Sequence, residues 1–286
     1  MLRAATRGSA LARWQTAHIA ELLGRAADVQ PLLVTTTGDR LAEEPISAIG
    51  GKGVFVKEVQ AAVLDGRADL AVHSAKDLPA ATPDGLVLAA VPGRGDPRDV
   101  LVGCRLADLP EGAVVATGSA RRRAQLRELR GDLRFSELRG NIATRLAKAQ
   151  DFDAVIVAKA ALDRLDEHPP VADVLGCDVM VPQVGQGALA VECREGDQRV
   201  RSLLAAIQDP LARRVVDAER AFLGTLGGDC TLPAGAHAHI RGDTLVMRAV
   251  LADGPSGRCH VVVGEGADGE ALGRDLARKL LQATAR

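Results

Sequence analysis

From Leu2 to Ala158, short apolar runs that are typical of buried strands alternate with stretches whose apolar residues recur at helical spacing. Leu70–His73 and Ala154–Ala158 are two of the strand-like runs, and Leu11–Leu23 is one of the helical stretches. After a strand and a helix, the chain usually returns to the sheet with its next strand parallel to the first. The alternation therefore predicts α/β units with mostly parallel sheets.

The pattern changes after Asp209-Pro210, where a helical stretch is followed by three strand-like runs and a second helical stretch. Gly242-Asp243 stands where a tight turn would join the first two of these runs, which predicts a small α+β domain on an antiparallel sheet. Upstream, the segment 92–97 (PGRGDP) breaks both periods and predicts a linker, for which a hinge is our hypothesis. A chain of 286 residues is expected to form two or three domains.

Charge and cysteine content restrict the partners and the compartment. Lys and Arg number 36 and Asp and Glu 37, so the net charge of −1 gives no general attraction to a phosphate backbone. Five cysteines without a CxxC pair indicate free thiols in a reducing compartment. No apolar run is long enough to cross a bilayer. Met1–Arg25 has features of a transit peptide, but Leu2–Thr6 predicts a strand that leads into a capped helix, and we expect a cytoplasmic protein.

A strand, a polar turn that contains glycine and then a helix follow one another in three places. The turns lie in the segments 5–9 (ATRGS), 117–123 (TGSARRR) and 138–145 (LRGNIATR). Glycine lets the backbone approach a ligand closely. The N-cap residues that we expect at the three helix starts are Ser9, Ser119 and Asn141.

Arginines lie at or beside all three helix starts, although the partial positive charge of a helix N-terminus disfavours cations there. Backbone N–H groups together with guanidinium groups make a site for an anion. We therefore predict ligand contact for Arg7, Arg121, Arg122, Arg139 and Arg145. A solvated basic face is the alternative, which we expect for Arg123, Arg127 and Arg130.

Two more polar segments stand where a strand-like run meets a helix. The segment 50–55 (GGKGVF) resembles a phosphate loop, but it lacks the first glycine and the Ser or Thr after Lys52, which argues against a nucleotide. The segment 73–79 (HSAKDLP) follows a strand that should be buried, and binding sites of open α/β sheets lie at such strand ends. Lys76 and Asp77 are therefore candidate site residues, with a solvated surface pair as the alternative.

Among the residues that could bind a metal or act as a reactive thiol, Cys230 is the one candidate that we retain. His237 and His239 would share one face of a strand, but zinc needs three or four ligands, so we expect edge-strand histidines without a metal. Cys230 lies in the loop 227–233 (GGDCTLP), where a thiol could be exposed and reactive. Because Asp229 disfavours a thiolate next to it, activation would need a nearby cation. We expect the other four cysteines to be packing residues: Cys104, Cys177, Cys193 and Cys259.

Taken together, these segments resemble the porphobilinogen deaminase family, whose motifs follow the same order. The matching segments are ATRGSALARWQ, GGKGVFVKE, AVHSAKDLP, DPRD, TGSARRR, LRGNIATRL, VGQGALAVECR and AERAFL. The resemblance implies two α/β domains that are similar to the halves of type II periplasmic binding proteins, and a small α+β domain with a three-stranded antiparallel sheet. The implied boundaries are 1–92 with 188–207, 97–183 and 210–286.

The resemblance also implies an activity and a cofactor. Members of the family join four porphobilinogen units, with loss of ammonia at each step, and water then releases hydroxymethylbilane for haem and other tetrapyrroles. The chain grows on a dipyrromethane cofactor that is attached through a thioether to a cysteine. The family expectation is a cytoplasmic monomer that binds neither nucleic acid nor membrane.

Carried over residue by residue, the resemblance makes Asp77 the catalytic carboxylate and Cys230 the attachment site of the cofactor. The residues that match cofactor-binding or substrate-binding positions are Arg7, Ser9, Lys52, Phe55, Lys76, Thr117, Ser119, Arg121, Arg122, Arg139, Arg145 and Arg164. The sequence departs from the family pattern at Ala48, Gly118 and Asp229, which leaves local cofactor contacts open. A non-catalytic receptor for small anions, which would not need Cys230, and a nucleic-acid binder that uses Arg121–Arg130 are the alternatives.

Overall fold

The computed structural model describes residues 1–40, 53–228, 232–253 and 257–285. Its strands are β1 (Leu2–Arg7), β2 (Val29–Val34), β3 (Leu70–Ser74), β4 (Leu86–Ala90), β5 (Asp99–Val102), β6 (Val114–Ala116), β7 (Arg134–Ser136), β8 (Ala154–Ala158), β9 (Ala172–Leu175), β10 (Leu189–Arg194), β11 (Ala234–Arg241), β12 (Thr244–Ala252) and β13 (Cys259–Gly266). Its α-helices are α1 (Ala10–Leu23), α2 (Thr37–Arg40), α3 (Lys57–Leu64), α4 (Ala120–Leu129), α5 (Ile142–Ala147), α6 (Lys159–Arg164), α7 (Gln198–Ala205), α8 (Pro210–Thr225) and α9 (Gly269–Thr284).

Two five-stranded sheets are built on the same plan. The first has the order β2-β1-β3-β10-β4 and the second the order β7-β6-β8-β5-β9. In each sheet one strand lies between two parallel partners, β1 in the first and β6 in the second. The fourth strand of each sheet, β10 or β5, is antiparallel to both of its neighbours. The α/β class is thus confirmed.

The expectation of mostly parallel sheets was wrong, because parallel and antiparallel pairs are equally represented. β10 follows the second sheet in sequence but pairs in the first, and β5 opens the second sheet. These strands arrive through segments that cross between the sheets, so no preceding helix of their own sheet sets their direction. The crossing segments are 91–98 and 176–188.

The third sheet is antiparallel, with the order β11-β12-β13, as predicted. Arg241 pairs with Thr244, so Gly242-Asp243 form the two-residue turn, and Gly242 has a φ of 59° that favours glycine. Helices α8 and α9 bury Phe222 and Leu276 against Met247 on one face of this sheet. We call the first sheet with its helices the first unit, the second sheet with its helices the second unit, and the third sheet with α8 and α9 the third unit. The residue boundaries of the domains stay a prediction.

Local sequence fixes the starts of the helices that lead into the cleft. The side chain of Ser9 accepts a hydrogen bond from the backbone of Ala12, and Ser119 and Asn141 cap α4 and α5 in the same way. All three predicted N-caps are confirmed. Helix α3 begins at Lys57 rather than Val54, because Val56 and Lys57 turn back onto the Gly53 carbonyl.

Candidate active site

The site lies where the carboxyl ends of β1 and β3 face the N-termini of helices that follow strands of the second sheet. Arg7 is the last residue of β1, and β3 continues into a short 3-10 turn, Ala75–Asp77. The backbone N–H of Ala75 donates to the carbonyl of Ala188 at 3.0 Å, which fixes the turn to the segment that precedes β10. The sequence prediction of polar residues at this sheet edge is therefore confirmed.

Arg7 is held between a carboxylate and an aromatic ring. Its Nε lies 3.1 Å from Oδ1 of Asp39, and its guanidinium lies 4.3 Å from the centre of the Phe55 ring. Burial raises the pKa of Asp39, but hydrogen bonds from Arg7 and Thr36 outweigh burial and bring it below its usual value. Asp39 is thus an ionised counterion that the sequence analysis did not identify.

A small cavity opens next to Arg7 and extends to the 3-10 turn. Its polar lining comes from both strand ends and from α1, where Nε2 of Gln15 donates to Oγ of Ser74 at 2.7 Å. The side chains that line it include Arg7, Ser9, Gln15, Phe55, His73, Ser74 and Asp77. Asp77, which is half-buried, therefore shares one cavity with the cationic end of β1.

Lys76 is a half-buried residue whose ammonium group lies between the two sheets. Its Nζ lies 3.3 Å from Oε1 of Gln186, and burial lowers its pKa to about 8. The nearby charge of Arg122 lowers the pKa further, whereas Asp77 and Asp99 raise it. Lys76 and Asp77, which follow β3 of the first sheet, thus lie near charged side chains of the second unit.

Arg121 and Arg122 share one buried carboxylate, that of Asp99. Nη2 of Arg121 lies 2.8 Å from Oδ2 of Asp99, and Nη2 of Arg122 lies 2.7 Å from Oδ1. Arg121 also donates to the carbonyl of Val181, and Arg122 to that of Ile156. Both arginines, which we predicted to contact ligand, are largely engaged within the protein, so ligand contact by them stays a prediction.

Asp99 and Gln186 are two site residues that the sequence analysis missed. Oδ1 of Asp99 accepts a hydrogen bond from Nε2 of Gln186 at 2.9 Å, and both side chains are fully buried. Although burial opposes ionisation, the charges of Arg121 and Arg122 hold the pKa of Asp99 far below its usual range. Gln186 thus joins Asp99 to Lys76. Both lie inside matched motifs, DPRD and VGQG, but only the fold brings them together.

Further arginines surround the cleft on the side of the second sheet. Arg145 donates to the carbonyl of Gly140 at 2.9 Å, and its pKa falls to about 10 because of burial and the charges of Arg122 and Arg139. Asp77 opposes this effect, which places the carboxylate within electrostatic range of Arg145. The second sheet therefore contributes several mutually repelling cations to the cleft.

Arg164 lies between α6 and the crossing segment 176–188. Its Nη2 donates to the carbonyl of Gly187 at 2.6 Å, and its guanidinium lies 5.6 Å from the ring centre of Trp14. Burial lowers the pKa of Arg164 to about 10. Its predicted role in ligand binding stays a prediction, since both observed partners, the Gly187 carbonyl and the Trp14 ring, belong to the protein itself.

Three predicted hydroxyls have structural partners, and two predicted residues lie outside the described part of the chain. Ser9 and Ser119 cap their helices, and Oγ1 of the buried Thr117 accepts from the backbone of Ser119 at 3.2 Å. Lys52 and Cys230 lie outside the described residues.

The later arginines of α4 differ in exposure. Arg127 is exposed, as predicted for a solvated face. Arg123 and Arg130 are partly buried and pair with Glu137 and Asp132, so they are less solvated than predicted.

A larger cavity, about 560 Å³, lies elsewhere on the second unit. Much of its lining is apolar, including Leu146, Phe152 and Val171. A polycarboxylate would not match such a surface, which favours the arginine-lined cleft as the functional site. Among the described residues, no cluster of His, Cys, Asp and Glu could hold a metal ion.

Comparison with known proteins gives a consistent family. A family model for the "Porphobilinogen deaminase, dipyromethane cofactor binding domain" matches residues 2–202, and one for the "Porphobilinogen deaminase, C-terminal domain" matches residues 214–282. The porphobilinogen deaminase of Acidothermus cellulolyticus is 48% identical over 299 residues, covering 100% of this chain and 90% of the relative. That of Syntrophotalea carbinolica is 44% identical over 290 residues, covering 98% and 92%.

Solved structures with some likeness include bacterial periplasmic domains. The VFT2 domain of BvgS from Bordetella pertussis is 15% identical with a TM-score of 0.43, covering 72% of this chain and 85% of that domain. An arginine-specific periplasmic binding protein of Salmonella typhimurium is 12% identical with a TM-score of 0.40, covering 74% and 93%.

Proposed function

We propose, since the chain belongs to the porphobilinogen deaminase family, that its cleft extends a pyrrole chain whose fixed end is at Cys230 and whose reacting end is at Asp77. The enzyme is a transferase that joins four porphobilinogen units with loss of ammonia and releases hydroxymethylbilane with water. It uses a covalently bound dipyrromethane cofactor. The roles of individual residues, including attachment at Cys230, are our proposal.

The concentration of cations in the cleft is the observation that supports this proposal. Lys76, Arg122, Arg139 and Arg145 repel one another, and burial and this repulsion together lower the pKa values of Lys76 and Arg145. Each pyrrole ring of the substrate carries an acetate and a propionate group, so a bound chain brings further anions to this cluster. Arginine suits this task because its planar fork can bind a carboxylate with two hydrogen bonds.

Asp77 is suited to manage the charge that develops when ammonia leaves. Protonation of the aminomethyl group allows ammonia to depart, and the substrate then becomes a cationic azafulvene. A carboxylate fixed in a cleft stabilises that cation more strongly than a solvated one would. When bound, the cofactor supplies the pyrrole carbon that attacks the activated substrate. Arg145 lies within electrostatic range of Asp77.

Intact mass spectrometry tests the cofactor and its attachment together. We expect the purified enzyme to be heavier than its sequence by one dipyrromethane and Cys230→Ser to lack this addition. Cys259→Ser is the matched control, because Cys259 lies on β13 and is half-buried. A fully active enzyme with an unmodified Cys230 would contradict the assignment.

The cellular setting is a further part of the proposal. Within the described residues, the helices are too short or too polar to cross a membrane. We propose a cytoplasmic monomer that binds no nucleic acid, in agreement with the net charge of −1. Retention on a nucleic-acid column at physiological salt, or a dimer mass in solution, would contradict this view.

A further inference from the structure

Arg220 on α8 binds the backbone that follows Asp77. Its Nη1 donates to the carbonyl of Pro79 at 3.0 Å, and its Nη2 donates to that of Ala80 at 2.8 Å. Nη2 also lies 3.5 Å from Oγ1 of Thr82. A guanidinium group from the third unit therefore contacts the first unit immediately downstream of the proposed catalytic carboxylate.

The same backbone packs against α8 through apolar side chains. Leu78 is 3% exposed and belongs to a core cluster that includes Ala212 and Val216 of α8. Ala80 packs against the core of the third unit, which includes Phe222. Leu78 and Ala80 flank Pro79, so the segment is held by packing as well as by the hydrogen bonds from Arg220.

A buried carboxylate on the first sheet stabilises the charge of Arg220. Burial lowers the pKa of Arg220, and Glu192 opposes this effect more than any other neighbouring charge. Glu192 is fully buried on β10, where it accepts a hydrogen bond from Gln60 at 2.8 Å and lies 3.2 Å from Nε2 of His73. His73 precedes Ser74, the last residue of β3, so Glu192 lies against the strand that leads into the Asp77 segment and acts electrostatically on Arg220, which binds the segment beyond Asp77.

We propose that Arg220 is a positioning residue that holds the Asp77 segment against the helix that leads to Cys230. Helix α8 ends at Thr225, and Cys230 follows shortly after it in sequence. Arg220 thus keeps the segment of the reacting carboxylate at a defined place on α8, the helix that precedes Cys230 in sequence. This inference rests on the proposed function, in which Cys230 and Asp77 are those two ends.

Three variants separate this role from general stabilisation. Arg220→Gln removes the charge and the forked donor, whereas Arg220→Lys keeps the charge but has no fork. Arg213→Gln is the matched control, because Arg213 lies on the same helix and also donates to a first-sheet carbonyl, that of Leu88, at 2.9 Å. The Leu88 contact lies on β4, away from the Asp77 segment in sequence.

Steady-state kinetics gives the first readout. Each rate is divided by the fraction of enzyme that carries dipyrromethane, which intact mass spectrometry measures. A displacement of a catalytic group by about 1 Å can slow a reaction by about a hundredfold. We expect kcat to fall about tenfold in Arg220→Gln and less in Arg220→Lys, with KM nearly unchanged. Arg213→Gln should keep the parent kcat.

Amide hydrogen exchange gives a second readout that does not depend on turnover. We expect a peptide that covers residues 77–82 to exchange faster in both Arg220 variants than in the parent or in Arg213→Gln. Should Arg220→Gln fail to fold, Arg220→Lys decides the question. Unchanged exchange in residues 77–82, or faster exchange with an unchanged kcat per loaded enzyme, would overturn the positioning role. A parent enzyme that does not consume porphobilinogen would instead refute the proposed function, and exchange would still show whether Arg220 holds the segment.

Discussion

At the scale of single residues, the described part of the cleft combines guanidinium groups, which stay charged near neutral pH, with the ammonium group of Lys76, which can lose its proton. The pKa of Lys76 is about 8, because burial and the charge of Arg122 both disfavour the ammonium form. The pKa of Arg145 is about 10, so this guanidinium stays charged in the same pH range. Lys76 is therefore the member of this pair whose charge changes near neutral pH.

We expect kcat/KM of the parent enzyme to fall above pH 8 as Lys76 becomes neutral. The sign follows from the titration: the ammonium, which in our proposal attracts the substrate carboxylates, is present below the pKa and lost above it. The value of kcat/KM reports groups of the free enzyme, so it should show this titration. Lys76→Arg should lack that decline, because its guanidinium keeps its charge. An identical decline in both enzymes between pH 7.5 and about 9 would exclude Lys76 as its cause.

Residue patterns identified the cations but not all of their partners. The rule that cations are unfavourable at helix starts singled out Arg121 and Arg122 from the sequence. The structure pairs both with Asp99, which lies on β5 and reaches α4 only because of the tertiary fold. Spacing along the chain carries no information about such a partner, whereas the cap residue Ser119 could be predicted because its partner, the Arg122 N–H, is local.

At the scale of elements, Asp99 attaches α4 to the second sheet. Besides Arg121 and Arg122, it accepts a hydrogen bond from Gln186, which belongs to the crossing segment 176–188. One buried carboxylate thus joins a strand, a helix and the path back to the first sheet. Its removal would leave two buried guanidinium groups without their counterion.

Asp99→Asn should therefore destabilise the protein strongly. Breaking a buried ion pair by removing one partner costs roughly 3–5 kcal/mol. Urea unfolding followed by circular dichroism would measure the loss of unfolding free energy. Asp275→Asn is the control, since Asp275 forms an exposed pair with Lys279 on α9 and should matter little. Similar losses in the two variants would show that Asp99 is not a special attachment.

Strand direction shows a limit of prediction at this scale. The alternation of apolar runs and helices correctly predicted most strands, because side-chain burial is encoded locally. β10 pairs with β3 and β4, and most of the second unit lies between these strands and β10 in the sequence. The antiparallel direction of β10 therefore depends on contacts that no local pattern contains. The three-stranded sheet was predictable because its first two strands are joined by the tight turn Gly242-Asp243.

At the scale of the whole molecule, Glu219 joins the third unit to both crossing segments at one buried point. Its two oxygens lie 2.7 and 3.1 Å from the guanidinium of Arg94, in the first crossing segment. It also accepts hydrogen bonds from the backbone of Gly185, in the second crossing segment, and of Ala238 on β11. The segment 92–97, for which we predicted a hinge, is therefore attached to the third unit through Arg94. Any hinge motion has to be compatible with that attachment.

Glu219→Gln should weaken the coupling between the third unit and the other two. A neutral amide cannot balance Arg94, and its NH₂ group cannot accept hydrogen bonds, so a buried cation and a backbone N–H lose their partners. We expect the free energy of unfolding to fall by roughly 3–5 kcal/mol. We also expect two calorimetric transitions in place of one, with the third unit melting first. Glu265→Gln is the control, because Glu265 forms an exposed pair with Arg241 within the third sheet. A single transition at the parent temperature in Glu219→Gln would show that packing alone couples the units, since Phe222 and the neighbouring apolar core of α8 are unchanged in this variant.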